Sequence, residues 1–75
     1  MSDEFGWLDV EEIGELLAEH YPTRDPYAVR FTELTGMVER LPGFKADPEH
    51  PVNEKILETI QAKWIEAKEE LAEEE

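Results

Sequence analysis

Apolar residues recur at helical spacing in three stretches of the chain. In the first, Val10, Ile13, Leu16, Leu17 and Tyr21 fall on one side while Glu11, Glu12, Glu15 and Glu19 fill the others, the pattern of a helix packed by one face. Asp9, with Glu12 three residues later, predicts a capping-box start, the Asp9 carboxylate accepting from an early helical N–H and Glu12 reaching back. Pro22 ends this helix near Tyr21. Gly14 in its interior costs about 1 kcal/mol relative to Ala, which predicts close packing of another element at that turn.

Asp25-Pro26 repeats the logic of a cap followed by proline at the first helical position, so a short helical turn is expected through Tyr27, Ala28 and Val29. Val29-Arg30-Phe31 then reads as extended. Thr32 caps the next predicted helix, with an apolar stripe of Leu34, Met37, Val38 and Leu41 and a stop at Pro42-Gly43. Residues 44–52, with Pro48 and Pro51, predict a loop. Asn53 caps the last helix, whose stripe of Ile56, Leu57, Ile60, Trp64, Ala67 and Leu71 runs into an acidic tail. Glu73, Glu74 and Glu75 put negative charge at the negative end of the helix dipole, so the tail should fray. Trp7 and Trp64 lie beside apolar stripes and no basic groove accompanies them, so they are core anchors and not stacking platforms.

These elements predict a mostly α fold: one small domain over residues 1–75, with three to four helices, at most a minimal β element, and residues 67–75 as a charged helical extension. There is no internal repeat or linker. Seventy-five residues lie near the lower limit for a core without disulfides or metal. Cysteine is absent, which removes thiolate ligands, nucleophilic thiols and disulfides together. The acidic start Met1-Ser2-Asp3-Glu4 does not read as a signal peptide and no apolar run reaches membrane-spanning length, so a cytoplasmic protein is expected.

Charge changes the picture most. Seven Lys+Arg against twenty Asp+Glu give a net −13, which repels nucleic acid and anionic lipid and favours basic proteins and cations. Residues 66–75 hold six Glu and one Lys, so most of the negative charge lies before the tail. Such acidity can signal disorder, but 40% hydrophobic residues with two Trp, three Phe and two Tyr predict a packed core.

The first helix carries four Glu and no Lys or Arg, and the like-charged neighbours Glu11/Glu15 and Glu15/Glu19 each cost about 0.2–0.5 kcal/mol. This is either a solubilising face or a landing surface for an Arg/Lys-rich partner. Carboxylates also attract hard cations, weakly when no geometry is preorganised. His20 and His50 lack the spacing that sets two ligands on one helical face, and read as surface residues. No Gly-rich phosphate loop, Ser/His/Asp ordering or deep acid–base cleft is suggested, so the chain is not expected to be an enzyme. Three short helices and a proline-punctuated loop are also the layout of a winged helix. Its DNA-reading element would be residues 33–41, where Arg40 stands against Glu33 and Glu39, so DNA binding is disfavoured. A winged-helix DNA mimic or protein-binding module is the alternative reading.

Trp7-Leu8-Asp9, Glu12-Ile13-Gly14-Glu15-Leu16, Tyr21-Pro22, Asp25-Pro26, Val29-Arg30-Phe31-Thr32 and Asn53-Glu54-Lys55-Ile56-Leu57-Glu58, in this order and spacing, resemble the IscX (YfhJ-like) family over residues 7–66. The resemblance implies a modified winged-helix accessory protein of iron–sulfur cluster assembly, an adaptor that binds the cysteine desulfurase, modulates sulfur supply and holds iron weakly on surface carboxylates. It implies a monomer with no tightly bound cofactor, Fe²⁺ or Fe³⁺ as a weak ligand, and a ferredoxin as a further partner. Carried over by position, the partner-binding candidates are Asp9, Glu12, Glu15, Asp25, Arg30, Glu33 and Lys55. The metal candidates are Glu12, Glu15, Glu19, Asp25, Asp47, Glu54 and Glu58. The sequence departs from the family pattern at Lys45-Ala46-Asp47, where relatives commonly carry an aspartate-rich run, and at Thr23-Arg24, where they carry a further Asp. Its acidic extension after Glu66 is also longer. The Glu12–Glu15 side of the first helix, with Asp25, is expected to dominate docking, and the C-terminal glutamates to come second.

Overall fold

A computed structural model describes residues 4–46, 48–49 and 51–73. Three helices carry the fold: α1 (Val10–His20), α2 (Phe31–Glu39) and α3 (Glu54–Glu73). The β contribution expected to be minimal is, among the described residues, one parallel bridge between Phe5 and Phe44. It pins the N-terminal segment through Phe5 N–H to Gly43 O (3.0 Å) and Lys45 N–H to Phe5 O (2.8 Å). Edge-on contacts of Phe44 with Phe5 and Trp7, at ring-centroid separations of 5.7 and 4.9 Å, fill the space beneath. Gly43 makes this approach possible with φ of 89°, which other residues rarely adopt.

The ends of the helices correct several expectations. Asp9 precedes α1 as predicted, and its carbonyl accepts from Ile13 N–H at 3.0 Å. The Asp9–Glu12 capping box does not form. Asp9 Oδ2 instead accepts from Gly6 N–H at 2.9 Å, while Asp9 N–H donates to Gly6 O at 3.1 Å. The closed turn over residues 6–9 goes with the burial of Trp7 in the core and leaves Leu8 outside. Asp25-Pro26 starts a turn and not a helix: Asp25 Oδ1 accepts from Tyr27 N–H at 2.9 Å and Asp25 O from Ala28 N–H at 3.0 Å, a local arrangement that Asp favours over continued helix. Thr32 is not the cap of α2, which begins at Phe31, two residues earlier than expected, from extended Arg30. Asn53 does cap α3, its Oδ1 accepting from Ile56 N–H at 2.9 Å.

Ile13, Leu17, Leu34, Val38, Ile60 and Trp64 are fully buried at the centre. Among the described residues the Trp64 indole N–H meets no acceptor. Packing is dominated by α1 against α3, and Gly14 sets how close they come. A Cβ on Gly14 would lie 2.7 Å from both the Lys63 carbonyl carbon and the Lys63 Cβ. Contacts advance together along the two helices, since Glu11 and Gly14 meet Lys63 while Glu15 shares a groove with Ala67 and Glu19 one with Leu71. The helices therefore run in the same direction, and their negative dipole ends point the same way. The α1–α2 connection is fastened to α3 by Gln61 Nε2 donating to Pro26 O (2.6 Å) and Lys68 Nζ donating to Arg24 O (2.7 Å). Among the described residues no helix is long and apolar enough to cross a membrane.

Candidate docking face on the first and third helices

Glu11, Glu15 and Glu19 are spaced four residues apart and form one exposed stripe along α1. Parallel packing brings Glu66 and Glu70 of α3 beside them. Glu11, Glu15, Lys63, Glu66, Ala67 and Glu70 line one shallow groove, and Glu15, Glu19, Ala67, Glu70 and Leu71 line its continuation. Among the described residues Lys63 is the only Lys or Arg on either lining, with Nζ 3.8 Å from Glu11 Oε1 and 3.6 Å from Glu66 Oε2. At those distances it offsets part of the local charge and locks neither carboxylate in place. Glu15 also lines a third depression at the start of α1, with Leu8, Asp9, Val10, Glu11 and Glu12. It is thus the residue common to the whole acidic face.

The other predicted positions divide. Asp9 and Glu12 adjoin this face, with the Asp9 carboxylate engaged by Gly6. Asp25 lies on the α1–α2 connection with Oδ1 committed to Tyr27 N–H. Glu33 pairs with Arg24, Nη2 to Oε2 at 2.8 Å with both side chains about half exposed. Arg30 is exposed just before α2, and Glu54, Lys55 and Glu58 are exposed on the first turns of α3. Asp47 and His50 lie outside the described residues. Among the described residues no group of three or more His, Asp or Glu is assembled to hold a metal ion. The oxygen donors suit iron in type, but no ready-made coordination shell gathers them.

Glu11, Glu66, Glu70 and Lys63 were not among the sequence-derived candidates. Their signal was present in the pairing of two patterns: the four-residue Glu spacing on α1, and Glu66 and Glu70 each one residue before the stripe positions Ala67 and Leu71. What connects the two is Gly14.

A family model described as iron–sulphur cluster assembly matches residues 5–69. The chain belongs to that family, the IscX/YfhJ family. An uncharacterized protein of Pseudomonas aeruginosa is 48% identical over 60 residues, covering 80% of this chain and 89% of the relative. Membership gives the chain a role in iron–sulfur cluster assembly. The matched span takes in Glu11, Glu15, Lys63 and Glu66 and stops one residue before Glu70, so this IscX-family chain builds its acidic face from within the matched span and from the extension together.

Proposed function

We propose that the chain is an adaptor of the assembly machinery that docks its α1/α3 carboxylate face onto a basic surface of the cysteine desulfurase. The observation that carries this reading is the convergence of Glu11, Glu15 and Glu19 with Glu66 and Glu70 around a single lysine. Such a predominantly negative surface steers a cationic partner and disfavours nucleic acid. The grooves are lined mainly by exposed carboxylates, which suits the binding of a cationic surface. Iron is a weak cargo of the same carboxylates in this reading, which rests on their oxygen donors being of the type that hard cations take.

Titration of the labelled protein with the cognate desulfurase, followed by NMR, tests the docking. Shifts centred on Glu11, Glu15, Glu19, Glu66 and Glu70 at low salt, weakening as the Debye length falls to about 8 Å at physiological ionic strength, are the expected result. No complex at low salt, or one centred on α2, overturns it.

A further inference from the structure

The forces holding α3 to α1 change along its length. Leu57, Ile60 and Trp64 are buried against the core, but beyond Trp64 the apolar contacts shrink to Ala67, 8% exposed, and Leu71, 42% exposed. Over the same stretch the charge rises. Glu66 and Glu70 stand across from Glu11 and Glu15, and Glu70 again shares the continuation of the groove with Glu15 and Glu19, which no Lys or Arg lines. Parallel packing adds the two negative helix ends to the same side. The polar tether on this stretch is Lys68, whose Nζ donates to Arg24 O at 2.7 Å.

We infer that residues 67–73 form an arm that closes onto α1 when cations enter the groove and loosens when they do not. Positive charge between Glu15, Glu19 and Glu70 converts a repulsive contact into a bridged one, while the packing upstream of Ala67 is unaffected. The inference deepens the docking proposal, on which its functional consequence rests. A cationic segment of the desulfurase would order the second wall of the surface it binds, so the face is completed by its partner and stays loose in the free chain. In this arrangement added salt tightens the arm of the free protein, because screening relieves like-charge repulsion. An arm held chiefly by ion pairs would respond in the opposite sense.

Amide hydrogen exchange of the free chain, compared between about 10 mM and about 0.5 M sodium chloride, provides the test. Rates at 67–73 are read relative to those at 57–64, which removes any general effect of salt on exchange. The expected result is a slowing at 67–73 of about threefold to tenfold, the scale of two or three like-charge neighbours relieved. Glu70→Gln should slow exchange at low salt and flatten the salt response, whereas Lys68→Met should speed it at both salts. Relative rates that are unchanged or faster in high salt, or complete exchange of 67–73 at the first time point in both, overturn the arm. Failure of the desulfurase to bind, with the salt response intact, overturns the docking reading and leaves the arm standing.

Discussion

Gly14 of α1 lies directly against the α3 backbone at Lys63. A Cβ at Gly14 would stand 2.7 Å from the Lys63 carbonyl carbon and 2.9 Å from the Trp64 amide nitrogen. These are main-chain atoms of a buried helix, which cannot swing aside as a long side chain would. Overpacking of this kind costs about 1–3 kcal/mol, more than the roughly 1 kcal/mol that Ala contributes over Gly within a helix. Gly14→Ala should therefore lower the thermal unfolding midpoint by several degrees, about 5 °C for a chain of this size. An unchanged or higher midpoint would show that α1 and α3 can separate freely.

The same substitution at Gly36 should act in the other direction. Gly36 lies within α2, and a Cβ there meets no atom within 4 Å. Ala reduces the freedom of the unfolded chain and favours the helix without a clash, so Gly36→Ala should stabilise by about 0.4–1 kcal/mol. Thermal melts of the two variants side by side separate packing from propensity, since the two effects predict opposite signs. Loss of stability at Gly36 would mean that α2 needs glycine for a contact that the free chain does not make.

Asn53 offers a third check on local structure. Its Oδ1 accepts from Ile56 N–H and its carbonyl accepts from Leu57 N–H, so both groups serve the first turn of the longest helix. Asn53→Ala removes the side-chain bond only, with an expected loss of about 1 kcal/mol. Chemical denaturation should show a lower midpoint with an unchanged slope.

These contacts also mark where the sequence was legible. The three helices, the burial of Trp7 and Trp64, the close approach at Gly14 and the Asn53 cap all follow from local rules, because each depends on spacing within a single element. Asp9 misled for the same reason. Its place before an apolar stripe is that of a cap, but burial of Trp7 folds residues 6–9 into a turn that brings Gly6 N–H to the carboxylate first. Asp25 likewise spends its side chain on Tyr27 within a turn. The acidic face was partly legible: Glu15 and Glu19 could be chosen from α1 alone, with Glu12 beside them. Ranking the C-terminal glutamates as a separate tail missed that Glu66 and Glu70 share the α1 groove, since no local pattern gives the relative direction of two helices.

Iron should bind weakly and diffusely. Carboxylates on a helix surface, without a gathered set of three donors among the described residues, are expected to hold Fe²⁺ with dissociation constants on the order of 0.1–1 mM, the range of the weakest calcium sites. Anaerobic calorimetric titration with Fe²⁺ should show this range, with affinity falling as ionic strength rises. A saturable site in the low micromolar range would require a donor set assembled in some other way, such as between two molecules.

Charge reversal distinguishes a directed docking face from general acidity. Glu15 lines all three depressions on the α1 side, whereas Glu39 sits exposed at the end of α2 and lines none of these. Glu15→Lys and Glu39→Lys change the net charge of the chain equally, so any difference between them reports position. At low ionic strength Glu15→Lys should weaken desulfurase binding about tenfold or more, mainly through slower association, and Glu39→Lys by no more than about twofold. Surface plasmon resonance at two salt concentrations gives both rate constants. Equal losses would mean that the partner senses only the summed charge of the chain, and the convergence of α1 and α3 carboxylates would then have no special part in recognition.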